Sequence, residues 1–183
     1  MKRRANLPSP RAHPIFYLLG TLAVCLLLFR AAGGRFPPLP QNVLFYNTTA
    51  SMPIGYYLRI PCTRFSSGDI VAYEPTDEVR QFALERGYTD KDICLLKRIG
   101  ALEGDSYQAA DGSFYVNGQY RGPVAVEDSN GEPLPQLPPG KQVVPAGEFL
   151  PLADVTRSFD GRYTGTVPLA NIRGRVIPLL AFW

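Results

Sequence analysis

A serine at the corner of a predicted turn is the first residue whose setting could support chemistry. Ser51 lies in NTTASMPIGYYLRI, residues 47–60, where small hydroxyl residues and a Met-Pro-Ile-Gly turn precede an aromatic and β-branched strand. Serine is a weak nucleophile at neutral pH, so a catalytic role for Ser51 requires a general base elsewhere in the chain. The structural alternative is a serine that only stabilises the turn through its hydroxyl.

Histidine does not supply that base. His13 is the only histidine, and a long apolar segment separates it from the rest of the chain. If that segment crosses a membrane, neither a Ser-His-Asp hydrolase nor a histidine-based metal site can form in the remainder. The base must then be lysine, aspartate, glutamate or tyrosine. We expect no metal and no other cofactor.

A lysine on a predicted strand is the best candidate. In DICLLKRIG, residues 92–100, strand alternation places Lys97 on one face with Ile93, Leu95 and Ile99. Apolar surroundings lower a lysine pKa because they disfavour the charged form, and a fall from about 10.4 to 7 or 8 corresponds to about 4 kcal/mol. A lysine that is neutral near pH 7 can accept a serine proton. The alternative is a lysine that extends its ammonium to solvent from an edge strand.

The composition limits the possible classes of protein. The chain has 183 residues, enough for one core of moderate size, so we expect a single globular domain. The formal net charge is +3, but Lys2, Arg3, Arg4 and Arg11 precede any acidic residue. The remainder is therefore nearly neutral, and binding to nucleic acid has little electrostatic support.

An uncharged apolar stretch follows the basic start. Residues 15–32 offer about 17 apolar residues if Arg30 extends its head group to the interface, which is at the short end of the range for a spanning helix. A cleaved signal peptide is the alternative, since a small-residue AAGG follows. We favour a retained anchor with a cytoplasmic N-terminus, which gives a basic tail at 1–14, a transmembrane anchor at 15–32, a Pro- and Gly-rich spacer at 33–46 and an exported domain at 47–183.

The exported domain is predicted to be mainly β. Short strand-like runs alternate with turn signals, as in GYYLRI, DIVAYE, ICLLKRI, SFYVNG, QVVP and GRVIPL. One exception, TDEVRQFALERG, is typical of a short helix with Thr76 as N-cap and an end at Gly87. Residues 122–140 are too rich in Pro and Gly for a central strand and are expected to form a long surface loop. The predicted fold is an antiparallel β domain with one small inserted helix.

Three cysteines are consistent with export without requiring a disulfide. Cys25 lies in the apolar segment and is expected to be inert. Cys62 and Cys94 are the two in the exported part, where an oxidising compartment would let them pair if their Cα atoms come within about 7 Å. Two buried free thiols are an equally good expectation.

Several motifs in the same order resemble the type I signal peptidases and, more closely, the TraF-type peptidases of bacterial conjugative transfer. SMPIG resembles the nucleophile segment, and SGDIVAY at 67–73 is similar to the second strand motif. LKRIGALEGD at 96–105 resembles the lysine segment, and DGSFYVNGQ at 111–119 the hairpin that follows it. SFDGRYTG at 158–165 resembles the last catalytic segment, so the likeness runs from about residue 47 to 176.

The resemblance implies a role for each matching residue. Ser51 would be the nucleophile, Lys97 the general base and Ser158 the hydroxyl that orients the lysine amine. The oxyanion would lie between the backbone N–H of Ser51 and the hydroxyl of Thr49. A carboxylate that pairs with two arginines would hold the lysine strand against the last segment; the three residues would be Asp160, Arg98 and Arg162.

The chain also departs from ordinary signal peptidases. Met52 and Pro53 are adjacent, as in the conjugative group, where ordinary members have one residue between them. LADVTR at 152–157 replaces the Gly-Asp-Asn-Arg stretch that normally precedes the final serine, so no role is assigned to Asp154. The accessory β-domain of larger members has no room here. These departures favour a specialised substrate.

The function that this likeness implies is a membrane-anchored Ser-Lys endopeptidase that processes an exported precursor. The implied substrate is a conjugative pilin precursor, cut by hydrolysis or cyclised, and the implied partners are the membrane and a conjugation or type IV secretion apparatus. The implied location is the bacterial inner membrane, with a single pass and a periplasmic peptidase domain. The alternatives are a general signal peptidase that removes leader peptides and a non-catalytic, membrane-anchored assembly factor of a secretion apparatus.

Overall fold

The computed structural model describes residues 14–34, 43–89 and 94–183. The predictions for His13, for Ile93 and for spacer residues 35–42 lie outside the described residues. Residues 1–39 form a unit of their own, in which helix α1 (Pro14–Ala31) coincides with the predicted apolar segment. From Tyr17 onward the side chains of α1 are exposed. Across the described parts of the chain, no helix has the length and apolar character that crossing a bilayer requires.

Residues 40–183 form the second unit, and it is mainly antiparallel β as predicted. Its strands are β1 (Leu44–Asn47), β2 (Ile54–Ile60), β3 (Ile70–Tyr73), β4 (Leu95–Leu102), β5 (Ser106–Ala110), β6 (Ser113–Val116), β7 (Gln119–Pro123), β8 (Gln142–Val143), β9 (Glu148–Leu152), β10 (Val167–Pro168) and β11 (Ile172–Phe182). Seven of them form one sheet in the order β1-β2-β11-β3-β4-β9-β10. The other four form a smaller sheet in the order β7-β6-β5-β8.

In the larger sheet two strands, β11 and β3, lie between β2, which follows the Ser51 turn, and β4, which carries Lys97. The turn that contains Ser51 joins β1 to β2, and these two strands pair with each other. β2 also pairs with the long C-terminal strand β11. β3 lies between β11 and β4, with Val71 opposite Lys97. β1 begins at Leu44, inside the segment that the sequence assigned to the spacer.

A shared core joins the two sheets. Ala101 on β4 and Leu150 on β9 belong to the larger sheet and pack with Tyr107, Phe114 and Val116 of the smaller one. Two more clusters of buried side chains, one around Met52 and Tyr57 and one around Val71 and Phe149, cover the faces of the larger sheet. Residues 40–183 therefore form one continuous fold.

Two short helices complete this unit. α2 (Asp77–Glu85) begins after Thr76, whose hydroxyl accepts a hydrogen bond from the backbone N–H of Val79. This satisfies an N–H that has no partner within the helix, and the predicted N-cap is confirmed. α3 (Gly161–Thr164) follows Asp160 as its N-cap, and a 3-10 turn (Leu169–Asn171) leads into β11.

Both cysteines of this unit are free thiols. The Cys62 thiol donates to the backbone carbonyl of Arg64, 2.6 Å away. Cys94 precedes β4, and burial raises the pKa of its thiol to about 11. A thiol with that pKa stays protonated near neutral pH and is a poor nucleophile. Of the two expectations for this pair, the structure has the free thiols.

Candidate active site

The turn that carries Ser51 is organised by an asparagine. Asn47, at the end of β1, is buried and donates through Nδ2 to the backbone carbonyls of Thr49, Met52 and Pro53 at 2.8, 2.9 and 3.0 Å. Met52 is fully buried in the core beside Tyr57. The residues on both sides of Ser51 are thus fixed, which leaves its hydroxyl at a defined corner.

The strand after this turn runs unusually close to the C-terminal strand. Gly55 has a φ of +144°, and a Cβ at this position would lie 2.1 Å from the carbonyl oxygen of Leu180. Only glycine fits such a contact, because an L side chain would be both strained and in collision with backbone. The glycine of the Met-Pro-Ile-Gly turn therefore allows β2 to pair with β11 directly after the corner.

The Ser51 hydroxyl lies in a short hydrogen-bonded chain. Its Oγ is 3.0 Å from Thr49 Oγ1, and Thr49 Oγ1 donates to Asn47 Oδ1 at 3.1 Å. A hydroxyl carries a single proton, so a threonine that donates to Asn47 accepts from Ser51. The Ser51 carbonyl accepts from the backbone N–H of Asp154 at 3.2 Å, which joins the turn to the segment after β9.

Lys97 is buried on β4, with 4% of the residue exposed. It lies opposite Val71, and its neighbours along the strand face, Leu95 and Ile99, belong to an apolar cluster. Nζ donates to Ser158 Oγ at 2.8 Å. Burial of the ammonium lowers the pKa of Lys97 to about 8, although the carboxylate of Asp160 acts in the opposite direction. The alternative in which Lys97 extends to solvent is therefore wrong.

The residues predicted for the catalytic site line one cavity. It has a volume of about 790 Å³, and Ser51 and Lys97 both line it. Thr49, Ser158 and Asp160 line it as well. The structure thus brings together the five residues predicted for the nucleophile, the base, the oxyanion and the last segment. The described hydrogen bond of Lys97 is to Ser158 rather than to Ser51.

Asp160 pairs with one of the two predicted arginines. Its carboxylate accepts from Arg162 Nε at 2.9 Å, from Arg162 Nη2 at 2.8 Å and from the backbone N–H of Ala153 at 2.8 Å. Arg162 also donates to the backbone carbonyls of Thr156 and Val155. Both side chains are almost completely buried, at 0% exposure for Asp160 and 2% for Arg162. The pair therefore holds the segment that presents Ser158.

The predicted ion pair between Asp160 and Arg98 is wrong. Arg98 instead binds Asp154 in a bidentate arrangement, with Nε to Oδ1 at 2.5 Å and Nη2 to Oδ2 at 2.8 Å. Alternation along β4 explains the difference, because Lys97 points into the buried face and Arg98 points away from it. The Arg98 side chain is 42% exposed, so this pair lies at the surface.

We expect these two carboxylates to differ sharply in their contribution to stability. Asp160→Asn removes the charge beside a buried guanidinium and should lower the free energy of unfolding by about 3–5 kcal/mol. The matched change Asp154→Asn breaks a partly exposed pair and should cost at most about 1 kcal/mol. Urea unfolding of both variants measures the difference. Equal losses would contradict the structural role assigned to Asp160.

The sequence did not single out two residues that organise this site. One is Asn47, for which the sequence does carry a signal, because an asparagine before a turn commonly bonds nearby backbone groups. Asp154 was given no role, yet its side chain holds Arg98 and its N–H holds the Ser51 carbonyl. No local pattern predicts the contacts of Asp154, because its partners Arg98 and Ser51 are distant in sequence.

Comparison with known proteins gives consistent matches. A model of the family described as signal peptidase, peptidase S26, matches residues 16–181. The plasmid transfer protein TraF of Escherichia coli is 31% identical over 145 residues, covering 74% of this chain and 82% of that protein. Signal peptidase I of Leptolyngbya laminosa is 32% identical over 117 residues, covering 63% of this chain and 52% of that protein. A crystal structure of a signal peptidase I from Enterococcus faecalis aligns with a TM-score of 0.39 at 22% identity, covering 64% of this chain and 100% of that chain.

Proposed function

Because the chain belongs to the signal peptidase family, peptidase S26, we propose that it is a serine endopeptidase with Ser51 as nucleophile and Lys97 as general base. One observation supports this proposal above the others. A buried lysine with a pKa lowered to about 8 lines the same cavity as a serine at a rigid corner. A lysine base must be neutral to accept a proton, and burial brings the pKa of Lys97 close enough to physiological pH for a fraction of the amine to be neutral there.

The reaction that follows has two stages. Neutral Lys97 accepts the Ser51 proton as Oγ attacks the peptide carbonyl, and the resulting tetrahedral intermediate carries a negative oxygen. When the carbon–nitrogen bond breaks, Lys97 returns its proton to the leaving amine, and the acyl group remains on Ser51 as an ester. Water then attacks the ester with Lys97 again as base, which releases the new carboxyl terminus and restores the serine hydroxyl.

Two groups are proposed to stabilise the negative oxygen. They are the backbone N–H of Ser51 and the hydroxyl of Thr49, and removal of such a donor typically costs about 2.7–4 kcal/mol of transition-state stabilisation. In the structure Thr49 donates to Asn47, so its proton must turn toward the substrate during the reaction. Ser158 would orient the Lys97 amine, since its Oγ accepts from Nζ at 2.8 Å.

For the substrate we propose an exported precursor, most specifically a conjugative pilin precursor. The support is the match to an Escherichia coli protein named plasmid transfer protein TraF over most of its length. The second candidate is general removal of leader peptides, which the match to a signal peptidase I favours. Cleavage of leader peptides from many unrelated exported proteins would select the second candidate over the first.

We also propose that residues 15–32 hold the enzyme at the bacterial inner membrane, with the peptidase domain in the periplasm. The support is the sequence, in which four basic residues that favour a cytoplasmic start precede a largely apolar stretch. The described side chains of α1 are exposed and mostly apolar, with Arg30 in the last turn. Tethering would raise the effective concentration of a substrate that emerges from the same bilayer. Release of the full chain from membranes by alkaline carbonate would contradict this anchor.

The pH dependence of cleavage tests the lysine mechanism. Protonated Lys97 cannot act as base, so kcat/KM should fall about tenfold for each pH unit below the lysine pKa and level off above it, with a midpoint at about pH 8. Cleavage of a fluorogenic leader peptide, measured across this range, gives the midpoint. Lys141→Gln, a change at an exposed lysine, should leave the midpoint in place. A midpoint near pH 4 would assign the base to a carboxylate instead.

A further inference from the structure

The active-site cavity extends well beyond the catalytic groups, toward two segments that the reaction does not use. One is helix α2, which contributes Val79 and Ala83 to the lining. The other is the long loop after β7, which contributes Ala125 and Leu134. The volume of about 790 Å³ lies within the range of about 300–1,000 Å³ typical of ligand-binding sites. The cavity is therefore large enough to hold several substrate residues.

Polar contacts fasten the loop to the end of α2. Arg86 donates to Glu132 Oε2 at 2.8 Å and to the backbone carbonyl of Pro133 at 3.1 Å. Tyr88 donates its hydroxyl proton to Asp128, whose carboxylate also lies 3.6 Å from Arg86 Nη1. We call these four side chains, Arg86, Tyr88, Asp128 and Glu132, the clasp. Asp128 is 8% exposed, so the centre of the clasp is shielded from water.

A stack of aromatic rings connects α2 and the clasp to the segment that carries Ser158. Phe159, the residue after Ser158, stacks on Phe82 of α2 at 5.1 Å between ring centroids and on Tyr163 at 5.9 Å. Tyr88 of the clasp contacts the same ring at 5.5 Å. The Tyr163 hydroxyl in turn accepts from the backbone N–H of Ala125 in the loop. The position of α2 and of the loop is thus fixed relative to the Ser158 hydroxyl, which accepts a hydrogen bond from Lys97 Nζ.

Building on the proposed peptidase function, we propose that α2 and residues 123–134 form a recognition wall for a bulky apolar side chain of the substrate. The side chain would lie against Val79, Ala83 and Leu134, where apolar contact replaces water. An anionic side chain would be disfavoured there, because its desolvation against the apolar groups is costly and the carboxylates of Glu127 and Asp128, which also line the cavity, would repel it. Arg86 and Tyr88 act as positioning residues, since they set the distance between the two sides of the wall without touching the reacting atoms.

Peptide binding to the Ser51→Ala protein tests this proposal without requiring cleavage. The probes are short peptides of alanine and serine in which leucine, aspartate or alanine occupies one position at a time, titrated by calorimetry. At one position, leucine should bind at least about tenfold more tightly than alanine, and aspartate should bind no better than alanine. Tyr88→Phe and Arg86→Gln, each in the same protein, should reduce the preference for leucine to about twofold or less.

Two matched changes serve as controls. Tyr56→Phe removes the hydroxyl of an exposed tyrosine on β2, and Arg121→Gln removes an exposed guanidinium on β7. Both should keep the full preference for leucine. With the serine restored, the ratio of kcat/KM for the leucine and alanine peptides should follow the binding ratio in every variant, whereas a general loss of folding would lower both values together.

The outcomes separate the wall from the peptidase chemistry. If leucine is preferred and the clasp variants lose that preference, the wall is supported even where no Ser51-dependent cleavage is found. If the intact protein cleaves in a Ser51-dependent way but binds leucine and alanine peptides equally, the wall is overturned and the peptidase proposal stands. A preference for leucine that survives both clasp changes would overturn the positioning role of Arg86 and Tyr88.

Discussion

The Ser51→Ala protein is expected to lose cleavage of its precursor by at least about a thousandfold while keeping its fold. Without Oγ no ester can form, and the residual rate would come only from substrate binding and oxyanion stabilisation. The fold should persist because the one described hydrogen bond of this hydroxyl is to Thr49, and the turn depends on Asn47 and Met52 instead. Turnover of a fluorogenic leader peptide, together with the melting temperature, measures both effects.

Ser113→Ala is the matched control, since Ser113 is a partly exposed serine at the start of β6. It should retain full activity. Mass spectrometry of the unmodified chain, quenched during turnover, should show the acyl group on the peptide that contains Ser51. If the Ser51→Ala protein still processes the precursor normally in cells, the peptidase proposal is contradicted and the non-catalytic assembly factor is favoured.

Local patterns were enough to predict which face of its strand Lys97 lies on, because alternation along one strand is a short-range property. It put Lys97 and Arg98 on opposite faces, and the structure has Lys97 4% exposed with the Arg98 side chain 42% exposed. The Thr76 cap was equally local, and so was the helix that it begins. The family resemblance rested on several such segments, and the comparisons confirm it.

The ion-pair partner of Arg98 could not be predicted from local patterns in the same way. Asp154 and Asp160 lie six residues apart in one segment, and nothing in the sequence indicates which of them reaches Arg98. The choice of partner depends on the path of the chain between β9 and α3. This path buries Asp160 with Arg162 and places Asp154 beside Arg98 of β4. Long-range pairing of this kind is decided by tertiary packing rather than by local preference.

Several strands escaped prediction for a related reason. β5, with the sequence SYQAA, lacks β-branched residues, and β9, with the sequence EFLPL, contains a proline in its interior. Their pairing is stabilised by the core that the two sheets share, where Tyr107, Leu150 and Phe114 are buried together. Strand preference reflects burial against neighbours as much as residue type, so isolated segments of this kind give weak signals.

Lys97→Met should lower kcat/KM by about 10²- to 10⁴-fold, which is the usual contribution of general acid–base catalysis. Methionine has a similar length and suits apolar surroundings, so the chain should still fold. Lys97→Arg should be equally inactive although it keeps the charge, because a guanidinium does not give up its proton. Lys141→Met, at an exposed lysine, should leave turnover unchanged. Substantial activity in Lys97→Arg would remove this residue from the proton transfer.

Comparison of the natural chain with Lys97→Met also allows the buried lysine amine to be detected without any substrate. The pKa of Lys97 is lowered from 10.5 to about 8 in the folded chain, so between these values the unfolded chain binds more protons. Stability therefore rises with pH across that window and is lowest below about pH 8, where both states hold the proton. Urea unfolding at several pH values should show this rise in the natural chain and a smaller one in Lys97→Met. If the two profiles are parallel, the amine is not desolvated, and the physical basis for a neutral lysine base is lost.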